Sequence, residues 1–483
     1  MRRLLLLAAL VVLAGCATPF AASDDNSTAA GTPTPVTHDE RPDPDSDRLG
    51  WENGLWHDDP VAVDPADGLN ESERAQVINR AMARVEVVRN LEFDREVNVS
   101  VISRDEFDAG SAGGGGETGE ALRRFDNAKF EALHLIGKET DSIAEQDDTR
   151  NRTIGGFYSP ARGNIVIVSE SDSPQFDGER TLAHELVHAL QDQEFDLSRD
   201  RPTSRDAYNG RNGLVEGDAG AVEDAYLDRC GDTWSCLPRE NTSTGAGGNA
   251  SAAPFNLGVY ILEFFPYSDG PGFVRALADG DDWSAVNDAF ENPPSSAVEV
   301  IYPDRYGSFE PRDVQLRDRN SGGWERVRPE SRPDHGVLGQ SGLTAMFAYT
   351  LYDDYEPRGV VAPQEFLNLN ANGTVDRSDP FDYALPAVDG WTGDRFHAYA
   401  RGDERAYVWR LTWESSAEAS EFAESYRRLV GHWGGEAVGD GVWRVADDSP
   451  FAGAVDVTVD GDTVTIVGAP SRSALGDVYR GAG

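Results

Sequence analysis

Residues 181–190 read Thr-Leu-Ala-His-Glu-Leu-Val-His-Ala-Leu, and this stretch carries the strongest structural signal in the chain. On a helix that turns about 100° per residue, His184 and His188 lie about 40° apart on one face, so both imidazoles can reach one metal ion. Leucines recur at every fourth position from Leu182 onwards, on a face rotated away from the histidines. The stretch therefore predicts a helix that buries one side and presents two metal ligands on the other.

A third ligand must come from another part of the chain, and the candidate is Glu216, in the sequence Leu-Val-Glu-Gly-Asp-Ala over residues 214–219. We expect the small residues Gly217, Ala219, Gly220 and Ala221 to let a helix that carries Glu216 pack closely against the first helix. Glu223 is the competing carboxylate. Two histidines and one carboxylate leave a fourth position for water, as in catalytic zinc sites, whereas structural zinc sites are closed. The sequence therefore predicts Zn²⁺ as the cofactor.

The sequence HELVHALQDQEFDL over residues 184–197, followed by LVEGDA, resembles the gluzincins, which are metallopeptidases with two histidines and a glutamate on zinc. More narrowly, it is similar to a family of haloarchaeal surface lipoproteins with bacterial relatives. The likeness extends through PPSS at 293–296, YPDRY at 302–306 and GWTGDR at 390–395. It covers residues 150–415, and it departs from the pattern at Glu194 and Tyr302, where relatives often carry His.

The resemblance implies peptide-bond hydrolysis on a zincin-like fold, with both histidines and Glu216 on zinc. Glu185, which flanks the imidazole face, would be the general base toward the attacking water. In zincins an edge strand beside the site helix binds the substrate in extended form, and residues 153–158 or 164–169 are the candidates. Nothing in the sequence identifies the residue preferred beside the cleaved bond.

Two supporting roles are less well defined by the sequence. Thermolysin-like gluzincins place an aspartate four residues after the ligand glutamate to orient a zinc histidine, but this chain has Gly220 there. Asp218 or Asp224 is then expected to take that role. His335 or Tyr226 is a candidate donor to the oxyanion.

The remaining hydrophobic periodicity predicts an α+β fold. Helical patterns cover residues 71–88, 121–137, 181–193, 212–227, 257–277, 339–351 and 416–430, and extended patterns cover 97–102, 153–158 and 164–169. From residue 390 the pattern changes to strands, with apolar residues alternating from Tyr407 to Trp413 and a later hairpin around Asp460-Gly461. This pattern predicts a small α+β domain over residues 386–483, and the resemblance to gluzincins implies that residues 49–385 form a zincin-like catalytic domain.

The N-terminus predicts export and lipid anchoring. An apolar run of about ten residues follows Arg2 and Arg3 and ends in Leu-Ala-Gly-Cys, which resembles a lipobox. Residues 1–16 are therefore expected to form a lipoprotein signal peptide, with Cys16 as the lipidated first residue of the mature chain. Residues 17–48 are polar and Pro-rich and are expected to form a disordered tether at the extracellular face of the membrane. The adjacent arginines leave Sec and twin-arginine export as alternatives.

Export also bears on the other cysteines and on glycosylation. Cys230 and Cys236 are expected to form a disulfide in an oxidising exterior. Sequons for N-glycosylation begin at Asn26, Asn70, Asn98, Asn151, Asn241, Asn249 and Asn372.

The charge balance predicts a halophilic surface. The chain has 43 basic and 85 acidic side chains and a net charge of −42, and Lys129 and Lys138 are its only lysines. Such a surface repels itself in dilute buffer, but at molar salt the screening length falls to about 3 Å. An ordinary acidic protein would carry more lysines. The same balance excludes nucleic acid as a partner.

These features together predict a cell-surface zinc metallopeptidase that acts on a peptide or protein substrate. The alternative is a non-catalytic, metal-containing surface binding or scaffold lipoprotein, although a structural metal site has no need of a base at Glu185. A solute-binding lipoprotein would explain the anchor but not the His-Glu-x-x-His motif. The sequence does not predict the oligomeric state.

Overall fold

The structure is a computed structural model. It describes residues 44–63, 69–111, 119–170, 175–176, 178–199, 202–238, 256–280, 282–330, 332–356, 358–376, 379–439 and 441–482. The predicted signal peptide, Cys16 and nearly all of the predicted tether lie outside these residues, as do the sequons at Asn26, Asn241 and Asn249. In the described part of the chain, none of the helices combines the length and the apolar character needed to cross a membrane.

The described chain has a helix-rich N-terminal part and a strand-rich C-terminal part, as expected of an α+β fold. The helices are α1 (Glu71–Arg89), α2 (Arg104–Ser111), α3 (Glu120–Ala132), α4 (Ser142–Thr153), α5 (Arg180–Phe195), α6 (Arg205–Arg229), α7 (Leu257–Leu277), α8 (Ser284–Glu291), α9 (Ala297–Ile301), α10 (Gly339–Ala348), α11 (Pro363–Phe366), α12 (Ser416–His432) and α13 (Arg472–Val478). The strands are β1 (Trp51–Glu52), β2 (Leu55–Trp56), β3 (Asn98–Ser103), β4 (Gly156–Ser159), β5 (Asn164–Ser169), β6 (Glu325–Arg326), β7 (Trp391–Arg401), β8 (Glu404–Trp413), β9 (Gly435–Ala437), β10 (Val442–Val445), β11 (Gly453–Asp460) and β12 (Thr463–Ala469).

Local sequence signals account for several of the helix boundaries. Asn70 caps α1, accepting from the backbone N–H of Glu73 while the Glu73 side chain accepts from the backbone N–H of Asn70. Ser415 and Glu418 form the same reciprocal pair at the start of α12. The site helix α5 ends where Asp196 adopts the left-handed conformation, with φ at 56°. All seven predicted helices are present, and α7 begins and ends at the predicted residues.

A three-stranded sheet in the order β3-β5-β4 lies beside α5. β5 pairs parallel with β3 and antiparallel with β4, so it is central, and its side chains from Ile165 to Ser169 are buried. The suggestion that residues 164–169 form a substrate-binding edge strand is therefore wrong, because both edges of that strand are already paired. The other candidate corresponds to β4, which is an edge strand but begins at Gly156, since Thr153 ends α4.

Helices α6 and α7 cross with their backbones in close contact. A Cβ atom on Gly217 would overlap the carbonyl group of Gly270, and one on Gly220 would lie 3.0 Å from Cγ of Pro271. We expected these small residues to bring α6 against the site helix. Instead they bring it against α7, so the close packing that positions Glu216 comes from the side of α6 that meets α7.

The C-terminal region contains a seven-stranded antiparallel sheet in the order β6-β7-β8-β12-β11-β10-β9. One face of β8, with Tyr407, Trp409, Leu411 and Trp413, joins the large core that also contains Leu182 and Leu186 of α5. The other face packs beneath α13 in a second, smaller core. The predicted domain boundary at residue 386 is not marked by a break in the core, and β6 enters the sheet from upstream of it.

A disulfide joins Cys230 and Cys236 immediately after α6, as predicted. It closes a short loop that includes Gly231, whose φ of 85° is strained for any residue with a side chain.

Candidate metal centre

The predicted ligands come together at the crossing of α5 and α6. His184 and His188 project from α5, and Glu216 projects from α6 between them. Glu216 Oε2 lies 3.3 Å from Nε2 of His184 and 3.2 Å from Nε2 of His188. The ligand atoms of all three residues lie within 4.8 Å of one another.

The two separations from Glu216 match those between ligands of a zinc site. Ligands at about 2.0–2.1 Å from zinc in a tetrahedron lie about 3.3 Å from one another. The two imidazole rings are nearly perpendicular, at 85°, with their centroids 4.9 Å apart, so their nitrogens can approach one point from different directions. Two nitrogens and one carboxylate oxygen are also the donors of catalytic zinc sites. The residues therefore fit the metal that the sequence predicts.

The histidines and carboxylates of this site shift one another's pKa values. Burial alone would lower the pKa of His184, but hydrogen bonds to Glu216 and Glu223 outweigh burial and raise it. Burial would raise the pKa of Glu216, but the two histidines lower it. The group thus holds protons on its histidines that a bound cation would displace.

A carboxylate contacts the ring nitrogen of His184 that faces away from Glu216. Nδ1 of His184 lies 3.1 Å from Oε2 of Glu223, whose other oxygen pairs with Arg180. Glu223 thus contacts the ring nitrogen opposite to the one that meets Glu216, so in this geometry it orients His184 and does not join the ligand group. Asp224, which we considered for this role, instead forms a surface pair with Arg275 at 3.4 Å.

His188 is held through a glutamine that the sequence reasoning missed. Nδ1 of His188 lies 2.9 Å from Oε1 of Gln191, one turn further along α5. Gln191 Nε2 donates to Asp218 at 2.9 Å, and Asp218 also pairs with Arg89 of α1 at 2.8 Å. Asp218 therefore does support one of the predicted ligand histidines, but through Gln191. The i, i+3 spacing of His188 and Gln191 was a usable signal.

Glu185, the predicted base, lies beside the predicted ligands. Its side chain is 4% exposed, next to the edge strand β4, where the backbone N–H of Tyr158 hydrogen bonds to it. Burial raises the pKa of Glu185 against the opposing charges of the two histidines. A raised pKa brings a carboxylate closer to the range in which it can exchange protons with water.

Tyr226 is not positioned to donate to an oxyanion, so that prediction is wrong. Tyr267 lies closer to the predicted ligands. The hydroxyl of Tyr226 donates to Glu179 in a buried network with Arg84 and does not line the cavity. Tyr267 of α7 hydrogen bonds to Glu216 and stacks on His184, with ring centroids 6.4 Å apart. His335 lines the cavity, where Arg395 approaches its ring at 3.2 Å.

The site opens into a cavity of about 610 Å³. Its walls are one face each of α3, α4, α6 and α7, together with β4 and the loop before α10. The volume is large enough for several residues of an extended peptide.

The region from residue 325 to residue 479 matches a protein family described as a domain of unknown function (DUF8575). The match covers less than half of the chain. It contains the whole seven-stranded sheet but none of the residues of the candidate metal centre. No curated protein and no solved structure matches the chain.

Proposed function

We propose that this chain is a zinc metallopeptidase of the gluzincin type that hydrolyses peptide bonds in a peptide or protein substrate. One observation carries the proposal: Nε2 of His184 and Nε2 of His188 lie 3.3 Å and 3.2 Å from Oε2 of Glu216, the spacing of ligands around tetrahedral zinc, beside the buried carboxylate of Glu185. A structural metal site needs no such carboxylate, and a solute-binding site needs no such convergence.

Each residue then has a distinct chemical task. Zinc, when bound, acidifies water and polarises the scissile carbonyl. Glu185 takes the proton of the attacking water and passes it to the leaving amine. Tyr267, beside Glu216, donates to the oxygen that gains charge. Glu223 and Gln191 keep the two imidazole rings in the same orientation during the reaction.

The arrangement of α5 and β4 supports a zincin-like reading of the N-terminal half. The edge strand β4 runs antiparallel to β5, and its residues Gly156, Phe157 and Tyr158 line the cavity next to the ligands. Its outer edge can pair with an extended substrate by β-augmentation. Substrate bound in this way passes directly over Glu185.

The setting that we propose is the outer face of the membrane of a halophilic cell. Cys16 would carry the lipid, and the polar residues after it would hold the folded part away from the bilayer. Exposed asparagines such as Asn70 and Asn98 would be available for glycosylation after export. The net charge of −42 suits molar salt.

The test is digestion of a peptide library by the full chain in molar KCl, followed by mass spectrometry. We expect cleavage that a chelator abolishes and added zinc restores. The alternative, a metal-containing scaffold lipoprotein, predicts bound zinc without cleavage. A chain that neither binds zinc nor cleaves any peptide would refute both readings.

A further inference from the structure

One face of α6 forms a continuous wall that leads away from the metal centre. Arg205, Tyr208, Asn212 and Glu216 all line the cavity, at spacings of three, four and four residues. Such spacing places all four side chains on one side of a helix. Arg205 and Glu216 are therefore the two ends of one wall.

The length of this wall can be expressed as a number of residues of an extended peptide. Eleven residues of helix at about 1.5 Å each separate the two ends by about 16 Å. An extended peptide advances about 3.3 Å per residue, so it covers that length in about five residues. A peptide that ran along this wall from the metal centre would therefore bring a group several residues away from the cleaved bond next to Arg205.

The guanidinium of Arg205 lacks a carboxylate partner. It donates to Oε1 of Gln146 at 3.2 Å and lies over the ring of Tyr208, 5.6 Å from its centroid. Among the residues that the structure describes, no carboxylate lies within 4.0 Å of it, and the same is true of Arg332 at the cavity edge. By contrast, Lys129 pairs with Asp126, and Arg150 pairs with Asp147 at 3.1 Å.

These cations share one end of the cavity. Burial, and then the charges of Arg205 and Arg332, lower the pKa of Lys129 against the attraction of Asp126. One further carboxyl group, Glu263, faces the same region, and burial raises its pKa although Arg205 and Arg150 oppose the rise. The charge of Arg205 therefore acts on two carboxyl groups here, namely Asp126, which already pairs with Lys129, and Glu263, whose burial favours the neutral form.

We propose that this end of the cavity binds a carboxylate of the substrate, with Arg205 as its main partner and Arg332 beside it. The carboxylate is either an Asp or Glu side chain or the free C-terminus of a peptide. This inference rests on the proposed peptidase function and names its substrate class. Guanidinium and carboxylate form two parallel hydrogen bonds, and Tyr208 stacking already orients the Arg205 plane.

Molar salt does not remove such a contact. At about 1 M the screening length is about 3 Å, so long-range attraction is lost but a hydrogen-bonded pair at contact remains.

The experiment compares fluorogenic peptides that differ at one position in carrying Glu or Gln, each with a free or an amidated C-terminus, in 2 M KCl. We expect the carboxylate form to be cleaved with a kcat/KM about 10- to 100-fold higher, the range of a charge-assisted hydrogen bond. A preference for Glu at one position identifies a side chain, and a preference for the free acid identifies the C-terminus. Arg205→Gln should abolish the preference, whereas the surface variant Arg275→Gln should retain it.

Three outcomes would overturn the proposal or its premise. Cleavage with equal kcat/KM for Glu and Gln peptides would refute the carboxylate site and leave the peptidase standing. A preference for Lys peptides that Glu263→Gln removes would show that the cavity binds a cation instead. If no peptide is cleaved, the peptidase reading fails. Fluorescence anisotropy with Glu185→Gln protein then decides the site separately, since tighter binding of carboxylate peptides must disappear in the double variant with Arg205→Gln.

Discussion

Each histidine of the candidate metal centre uses one ring nitrogen for the site and the other for a partner that holds the ring. Glu223 accepts from Nδ1 of His184, and Oε1 of Gln191 accepts from Nδ1 of His188. A neutral imidazole that donates from Nδ1 keeps the lone pair of Nε2 free for a metal. Once a metal has replaced the proton on each Nε2, these Nδ1 contacts would hold both rings in the tautomer that zinc binding requires.

Glu185→Gln separates catalysis from metal binding. Since Glu185 is proposed as a base that does not touch the ion, the variant should keep about one zinc per chain. Its kcat/KM should fall by about 10²- to 10⁴-fold, the usual contribution of a general base. Zinc quantification and a peptide assay on the same sample check both statements, and joint loss of zinc and activity would make Glu185 a ligand.

Glu216→Ala and Glu223→Ala should both lower the affinity for zinc, but to different extents. Loss of the ligand Glu216 should leave the protein without zinc at micromolar metal, whereas loss of Glu223 should weaken zinc binding by about 10- to 100-fold because it only orients His184. Asp224→Asn is the matched control, since Asp224 is next to Glu223 but contacts Arg275 at the surface. Competition with a chelating dye measures the affinities. Full occupancy in Glu216→Ala together with loss in Glu223→Ala would reverse the two assignments.

The sequence could supply the histidine pair but not the choice between the two carboxylates. Glu216 and Glu223 are seven residues apart, which places them about 20° from one another on the same helix face. Only their different heights along α6 decide that one meets Nε2 and the other Nδ1 of His184. Tyr267 comes from α7, and no spacing rule connects that helix to α5.

At the level of elements, α6 determines the site because it carries Glu216, Asp218 and Glu223 and packs against both α5 and α7. Periodicity predicted this helix and most of the others, since amphipathic patterns are local. It could not predict that β5 lies between β3 and β4, because three helices and β4 separate β3 from β5 in the sequence. Nor could it predict which neighbour the glycines of α6 would face, because Gly217 has no side chain to indicate a direction.

Gly217→Ala tests the crossing of α6 and α7. A gain in helix propensity of up to about 1 kcal/mol is expected for Gly to Ala. The new Cβ would overlap the backbone of Gly270, however, and backbone cannot move aside like a flexible side chain, so we expect a net destabilisation of about 1–3 kcal/mol. Because Glu216 is the adjacent residue, zinc affinity should fall too.

The matched control for this crossing is Gly272→Ala on α7. A Cβ on Gly272 meets no described atom within 4 Å, so this variant should be neutral or stabilised. Urea unfolding followed by circular dichroism compares the two proteins. Equal stability in both variants would show that the crossing tolerates a methyl group.

Glu52→Gln tests a buried carboxyl pair that joins β1 to α1. Glu52 donates to Glu86, which also accepts from the backbone N–H groups of Gly50 and Phe93. Burial, and then the charge of Glu86, raises the pKa of Glu52 to about 9, and burial raises that of Glu86 to about 7. Both values exceed the unfolded value of about 4.3, so the pair stabilises the fold fully below about pH 4 and loses this effect as pH rises through 7 to 9.

A glutamine at position 52 keeps a donor toward Glu86 but cannot lose a proton. Thermal midpoints of Glu52→Gln should therefore fall less between pH 6 and pH 9 than those of the parent protein. Glu71→Gln removes the same charge from the exposed start of α1 and should follow the parent. Identical alkaline losses in all three proteins would contradict a protonated pair.

At the scale of the whole molecule, the charges divide into two populations. Buried ion pairs such as Arg89 with Asp218, and Arg80 and Arg84 with Glu179, lie at 2.8–2.9 Å with almost no exposure. The excess of acidic groups lies outside these pairs, and neither lysine is among the exposed residues, since Lys129 is buried and Lys138 half-buried. Salt screens the exposed charges strongly and the buried pairs weakly.

The salt dependence of stability follows from that division. Thermal midpoints measured by circular dichroism should rise steeply from 0.1 to 1 M KCl, because the screening length falls from about 10 Å to about 3 Å and repulsion between exposed carboxylates weakens. Because salt screens the buried ion pairs only weakly, the attraction that they lose should not offset this gain in stability. Sucrose is the control, since it favours burial by exclusion from the surface but does not screen charge. If repulsion limits stability, sucrose in dilute buffer cannot replace KCl. A midpoint that is flat in KCl, or that sucrose raises equally, would show that the net charge of −42 does not govern the stability of this fold.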